Sequence, residues 1–218
     1  KRKRLPLLDR PIFLTLNMEQ LSPHRPFQAH LECIECGESY DLYQVLYRCK
    51  KCDGLIDVVH DIEALKQFDA ATWKDTFARR FRYPGYPFSS GVWGKKEWVL
   101  PGIDLEHVIS LGEGATPLIP LHRLARQWGI ASLEVKQCGV SHTGSFKDLG
   151  MTVLVSHVVS LRARGIPIQA VACASTGDTS AALAAYAAAA DIPVIVFLPE
   201  GKISTAQLVQ PLSNGAIV

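Results

Sequence analysis

The chain has 218 residues, 48% of them hydrophobic and 20% charged, and a formal net charge of +2. This is ordinary globular composition, long enough for one good core or for a small module beside a larger domain. The near-neutral charge argues against a dedicated nucleic-acid or membrane surface, and no apolar run approaches the roughly 20 residues that span a bilayer.

The opening Lys1-Arg2-Lys3-Arg4 reads as a solvated tail, because no second basic cluster supports a targeting or polybasic patch. No secretory apolar segment follows it, so nothing points to export. Residues 1–30 carry Pro6, Pro11, Pro23 and Pro26 and read as an irregular arm. Residues 31–60 read as a zinc-ribbon-like module. Here Cys33-Ile34-Glu35-Cys36 and Cys49-Lys50-Lys51-Cys52 form two Cys-x-x-Cys pairs with twelve residues between them. Two tight turns, each offering a pair of thiolates, supply the four soft ligands of tetrahedral zinc. A knuckle without metal, or four free thiols, is the plainer alternative. Gly37 and Gly54 follow the knuckles and suit a turn at positive φ. Residues 40–43 and 45–47 read as short strands.

Glu32, Glu35, Glu38, Asp41 and Asp53 offset Arg48, Lys50 and Lys51. That balance favours a structural ribbon over a phosphate-binding face. Cys138 and Cys173 stand alone in apolar surroundings and read as buried small hydrophobes. The cysteine pattern as a whole fits a reducing compartment rather than a disulfide framework.

Residues 61–100 read as a connector. It starts with a short helix over 61–68 and continues as an aromatic, turn-rich passage. Trp73, Trp93 and Trp98 lie there among Pro84, Gly85, Pro87, Gly91 and Gly94, as anchors packed on a neighbouring surface.

Residues 101–218 read as the amino-terminal part of a catalytic domain. A loop over 111–118 leads to a helix over 121–128 and a strand over 132–136. A helix capped by Ser145 runs to about residue 164 and stops at Gly165 and Pro167. Next come an apolar strand over 168–173, an alanine-rich helix ending near 190, a strand over 193–198 and a short helix over 204–210. A further strand begins at 216–218. This alternation predicts an α/β fold: an open parallel sheet with helices on both faces. The last strand has barely begun at Val218, so the sequence reads as incomplete.

Two loops carry the chemistry. Ser145 and Asp148 have capping-box spacing, which places Lys147 in the first helical turn. The helix dipole disfavours a cation there by about 0.3–1 kcal/mol. The same placement favours the neutral amine that a Schiff-base lysine needs. Phe146 precedes that lysine and Asp148 follows it, which excludes a nucleotide-binding P-loop. The second loop, 175–180, lies at a strand's carboxyl end, where open parallel sheets bind ligands. Its Ser175, Thr176, Thr179 and Ser180 hydroxyls at a helix start suit a carboxylate or a phosphate, and Gly177 and Ala181 leave the backbone approachable. Equally, Ser175 and Asp178 form a second capping box that requires no ligand.

Thr143-Gly144-Ser145-Phe146-Lys147-Asp148, followed by Gly150-Met151-Thr152, resembles the lysine motif of threonine synthases in the fold-type II family of pyridoxal-phosphate enzymes. Glu113-Gly114-Ala115-Thr116-Pro117-Leu118 resembles that superfamily's opening motif, and residues 173–182 resemble its substrate-carboxylate loop. Residues 92–101 and 197–204 resemble the plant-type and cyanobacterial-type subgroup. The paired cysteines are similar to the amino-terminal knuckles of several prokaryotic members. The resemblance spans residues 31–218.

The resemblance implies fold-type II architecture, with Lys147 holding pyridoxal 5'-phosphate covalently and Phe146 and Asp178 beside the cofactor. It implies that Ser175, Thr176, Gly177 and Thr179 clamp the substrate carboxylate, and that Cys33, Cys36, Cys49 and Cys52 hold a structural zinc. The implied reaction converts O-phospho-L-homoserine and water to L-threonine and phosphate by γ-elimination and β-hydration, with the freed Lys147 as general base. Many members carry asparagine where this chain has Asp178, although the plant-like subgroup shares the aspartate. Regulation by S-adenosylmethionine is not expected, because residues 115–118 follow the generic pattern. The cofactor's phosphate cup and the partner of its pyridine nitrogen belong to the family's carboxy-terminal half, so this chain alone is expected to be inactive. A homodimer is expected for the complete protein, in the cytoplasm or in the plastid stroma of a plant or alga, with no nucleic-acid or membrane partner. The competing readings are another type II enzyme, such as a cysteate synthase or a serine/threonine dehydratase, and a zinc-ribbon interaction module with a degenerate catalytic remnant.

Overall fold

The computed structural model describes residues 21, 23–82, 85–200 and 204–218. The arm expected over residues 1–30 falls mostly outside this set. Strand β1 (Ala29–Cys33) starts within that stretch and pairs antiparallel with β2 (Ser39–Tyr40) on one side and β3 (Ile56–His60) on the other. Cys33 stands opposite Ile56, so the first knuckle abuts the start of β3. The strands expected over 40–43 and 45–47 reduce to β2 alone. The cause is local: the Asp41 carboxyl accepts the Tyr43 amide at 2.8 Å, a side-chain turn that bends the chain directly after Tyr40.

Helix α1 (Ile62–Leu65) is capped by Asp61, whose carboxyl accepts the Ala64 amide at 3.0 Å. The expected turn-rich passage then holds a 13-residue helix, α2 (Ala70–Arg82). Asp69 accepts the Thr72 amide at 2.7 Å to start it, and three arginines in its last turn complement the dipole. Trp73 and Arg80 lie on its buried face. Trp73 and Phe77 interlock with Trp98 at ring separations of 5.5 and 5.4 Å, which makes these aromatics the anchors expected. Trp98 lies on the single-turn helix α3 (Lys96–Val99).

Strands β4 (Leu118–Pro120) and β5 (Glu134–Lys136) pair antiparallel around helix α4 (His122–Trp128). Helix α5 (Asp148–Ala163) follows, then β6 (Val171–Cys173), α6 (Asp178–Ala189), β7 (Val194–Val196) and α7 (Thr205–Ser213). Strands β6 and β7 pair parallel, and Ile217 continues the sheet by a parallel bridge to Ile195. The alternating order therefore produces the α/β arrangement expected, with shorter strands. Helix α6 is apolar almost all round, and seven of its twelve residues are alanine. Its small side chains let it pack against α5, α7 and both parallel strands. Cys173 closes β6 and Cys138 sits in a 3-10 turn; both are half-buried rather than fully enclosed.

Helix α5 has few exposed faces. Val155 and Val158 join the core of α6 and β7, with Met151 and Val159 packed against it. A second row, Asp148, Thr152, Ser156 and Ser160, is polar and fully buried. Such groups require partners, which all but Ser160 find among the described residues. Thr152 Oγ1 accepts from Trp93 Nε1 at 2.8 Å and donates to the Ile109 carbonyl at 2.6 Å, while Ser156 Oγ accepts the Ile109 amide at 2.8 Å. The segment before the Glu113 loop is thus strapped to α5 by both of its backbone groups. No helix among the described residues is long and apolar enough to cross a membrane.

Candidate active site and metal centre

Lys147 occupies the N-cap of α5, one residue ahead of the first turn, and the Ser145–Asp148 capping box does not form. Asp148 is turned away from the helix start. Its carboxyl accepts the Thr143 amide at 2.9 Å and the Thr143 hydroxyl, which closes the loop 143–148 on itself. Ser145 Oγ instead accepts the Lys147 amide at 3.2 Å. The Lys147 amine lies 4.6 Å from the centre of the exposed Phe146 ring, and among the described residues no carboxylate pairs with it. Lys147 is thus a half-buried residue at a helix start, with no ion pair among the described residues to tie up its amine.

The second loop follows β6 at its carboxyl end, with Gly177 as the N-cap of α6. Here too the expected capping box is absent: Ser175 Oγ accepts the Gly177 amide at 3.3 Å, and Ser180 Oγ donates to the Gly177 carbonyl at 2.8 Å. Asp178 is exposed at the first helical position, and Ser175, Thr176, Gly177 and Thr179 are half-buried. Among the described residues, the amides of Thr176, Asp178 and Thr179 have no protein acceptor. Free amides beside three hydroxyls form an anion-ready helix start. The succession α5, β6, α6 reverses direction twice, so Lys147 and this loop begin at the same edge of the sheet. Gln210 of α7 donates to the Thr143 carbonyl at 3.3 Å and ties the lysine loop to that helix.

Glu113, legible in the sequence only as part of a loop motif, is fully buried and joins three segments. Its carboxyl accepts from Ser90 Oγ, from Ser110 Oγ at 3.0 Å, from the Leu111 amide at 3.0 Å and from Tyr186 Oη of α6 at 2.8 Å. Burial, and then the nearby Glu113, push the Tyr186 phenol far up, so it remains a donor. Gly91 allows the close approach behind this group, since a Cβ there would lie 2.0 Å from the Ala115 amide nitrogen. No spacing signal marks such a group, because two of its donors come from 23 residues before it and 73 residues after it.

The four paired cysteines converge. Their sulfurs all lie within 4.8 Å of one another, with Cys33–Cys52 at 3.5 Å and Cys36–Cys49 at 3.6 Å. Zinc with Zn–S bonds of about 2.3 Å places its sulfurs about 3.8 Å apart, so the donor set fits that ion. Cys33 and Cys49 are buried, whereas Cys36 and Cys52 are exposed. A bond from Tyr40 Oη at 3.1 Å leads the influences that hold the Cys49 thiol down at about 6, against the upward push of burial. Gly37 has the expected positive φ, but at the second knuckle that role falls to Asp53, at φ 60°. Gly54 serves space instead, because a Cβ there would lie 2.9 Å from Cys33 Sγ.

Residues 109–217 match the family model of pyridoxal-phosphate dependent enzymes. The chain is 54% identical to a chloroplastic threonine synthase of Arabidopsis thaliana over 182 residues, 83% of this chain and 35% of that protein. It is 44% identical to the threonine synthase of Methanosarcina acetivorans over 189 residues, 87% of this chain and 42% of that protein. A crystal structure of a pyridoxal 5'-phosphate-dependent aspartate racemase superposes on 47% of this chain and 31% of its own, at TM-score 0.42 and 23% identity. The chain thus spans well under half the length of these relatives. With its lysine loop and hydroxyl loop at one edge of a parallel sheet, it belongs to the family of pyridoxal-phosphate dependent enzymes and is similar over most of its length to threonine synthases.

Proposed function

We propose that the protein carrying this chain is a threonine synthase, converting O-phospho-L-homoserine and water to L-threonine and phosphate. The observation that carries this reading is the placement of a Lys147 amine with no ion pair among the described residues at the same sheet edge as a helix start with hydroxyls and with amides that have no protein acceptor there. The 54% identity to a chloroplastic threonine synthase supports the choice of substrate within the family. Pyridoxal phosphate, when bound, supplies an electron sink for carbanions next to the substrate amine.

Lys147 would hold the cofactor through its amine and, once released, take protons from the α and β carbons of the substrate. The amides of Thr176 and Thr179, with the hydroxyls of Ser175, Thr176 and Thr179, would hold the substrate carboxylate. Gly177 keeps the approach open, as a Cβ there would meet nothing within 4 Å. Phe146 and Asp178 flank the cofactor position in this reading. A structural zinc at Cys33, Cys36, Cys49 and Cys52, a homodimeric assembly and a reducing compartment, the cytoplasm or a plastid, complete it.

The test is product analysis with the full-length protein. Release of phosphate and threonine from O-phospho-L-homoserine, abolished by Lys147→Ala together with the visible absorbance of the lysine-bound cofactor, is the expected result. Turnover of phosphoserine with sulfite and no threonine would overturn the reaction while keeping the cofactor.

A further inference from the structure

The cysteine module reaches the lysine helix directly. Between Cys36 and Cys49 the chain forms a loop whose tip, Leu42 and Tyr43, leaves the module and enters the body of the protein. Leu42 is 8% exposed and clusters with Trp93, Leu100, Ile103 and Val108, against which Val153 of α5 also packs. The Tyr43 ring stacks on His157 of α5 with centroids 5.3 Å apart and planes at 20°. The guanidinium of Arg164, at the end of α5, lies 3.7 Å from the centre of the same ring. A Cβ on Gly102 would come within 3.3 Å of the Tyr43 oxygen, so the ring also has little room to slide. The half-buried Val153 and His157, with the exposed Arg164 just past the helix end, thus give α5 a third contact surface, beside its apolar core face and its polar row.

The loop has little of its own to keep that shape. Past Tyr40 no strand holds it, and its internal bonds are the short turn of Asp41 with Tyr43 and Gln44. Its two ends meet at the cysteine pair at its base, Cys36 and Cys49, with sulfurs 3.6 Å apart, and beside it Tyr40 Oη accepts the Lys50 amide at 3.0 Å. Without a cation, the four clustered sulfurs offer only weak S–H···S contacts to hold that base closed, and any thiolates among them repel. With one, the cost of closing the loop is met when the metal binds, before the tip docks.

We propose that a metal ion held by Cys33, Cys36, Cys49 and Cys52 latches Leu42 and Tyr43 onto α5, so that occupancy of the metal site governs the order of the helix that begins at Lys147. The proposal rests on the zinc reading above and adds a consequence to it. Reciprocity follows: if metal steadies the docked tip, the docked tip must raise metal affinity by the same factor.

The experiment uses the full-length protein, with zinc stoichiometry measured by elemental analysis and hydrogen–deuterium exchange followed across residues 148–163. One zinc per chain is expected, and its removal by a chelator should accelerate amide exchange in the second half of α5 by about tenfold, an ordinary size for coupling between sites. Tyr43→Ala should show the fast exchange with zinc still bound at saturation, and should weaken zinc affinity by about the same tenfold. Arg164→Met, which removes only the cation over the ring, should shift both readouts in the same direction by less. Zinc bound in full, with α5 exchange unchanged on its removal, would overturn the latch and leave the zinc reading standing. A protein that takes up no zinc would overturn both.

Discussion

Replacing Arg80 by methionine tests how α2 and the segment 93–99 support the lysine helix. The Arg80 guanidinium forks onto Glu97 with bonds of 2.7 and 2.8 Å and also donates to the Gly94 carbonyl at 2.9 Å. It lies 4.8 Å from the Phe88 ring centre as well. The two side chains are only 9% and 13% exposed, so solvent screens the pair weakly. Burial pushes the Glu97 carboxyl up, but the bonds and charge of Arg80 outweigh it and leave the group below its ordinary range. Removing the guanidinium alone therefore strands a buried carboxylate, at a cost of about 3–5 kcal/mol. For a domain of this size that corresponds to a fall in melting midpoint of roughly 6–20 °C. A second substitution, Glu97→Met, made together with Arg80→Met, should recover most of the loss, because an apolar pair of similar volume is close to neutral. Thermal unfolding followed by circular dichroism, run as a double-mutant cycle, provides the measurement. A single-mutant shift below about 2 °C, or a double mutant no more stable than the single, would refute the reasoning.

The same pair sets a pH dependence. Because the folded Glu97 carboxyl lies below its free value of 4.5, its contribution is complete above that value and is lost as pH falls through the folded one. Acid unfolding below about pH 4 should accordingly be shallower in the Arg80→Met, Glu97→Met double mutant than in the wild type. Tyr186→Phe removes the donor that α6 offers to buried Glu113, and should lower stability by about 1–3 kcal/mol in urea unfolding. An unchanged urea midpoint would mean that Ser90, Ser110 and the Leu111 amide satisfy Glu113 without it. Gly54→Ala presses a methyl against Cys33 Sγ and should weaken zinc binding by about tenfold or more in competition with a chromophoric chelator. Wild-type affinity there would show that the second knuckle yields.

Much of this protein was legible in one dimension because the physics involved is local. Apolar runs of strand length, the glycine and proline after residue 164, and the alanine-rich stretch place β6, β7, α5 and α6 within a few residues of where the structure has them. The paired cysteines likewise carry their own geometry, since two tight turns can meet in few ways. The helix α2 was hidden, because Trp73, Phe77 and Arg80 form a face only once Trp98 and Glu97 stand opposite them. Spacing predicts a capping box at the starts of α5 and α6, and neither forms. At Lys147 the acid that should have reached back for the helix start is held instead by Thr143, and at Gly177 the serine bonds a nearer amide.

The sequence by itself determined the alternation of strands and helices, the four thiols and the two loops proposed to hold ligands, because each is written within a dozen residues. Only the tertiary structure decided that Glu113 is buried among hydroxyls from distant segments, that Lys147 sits ahead of its helix rather than inside it, and that the cysteine loop grips that same helix through Leu42 and Tyr43. Those outcomes depend on partners dozens of residues away, whose meeting is set by packing rather than by any local preference.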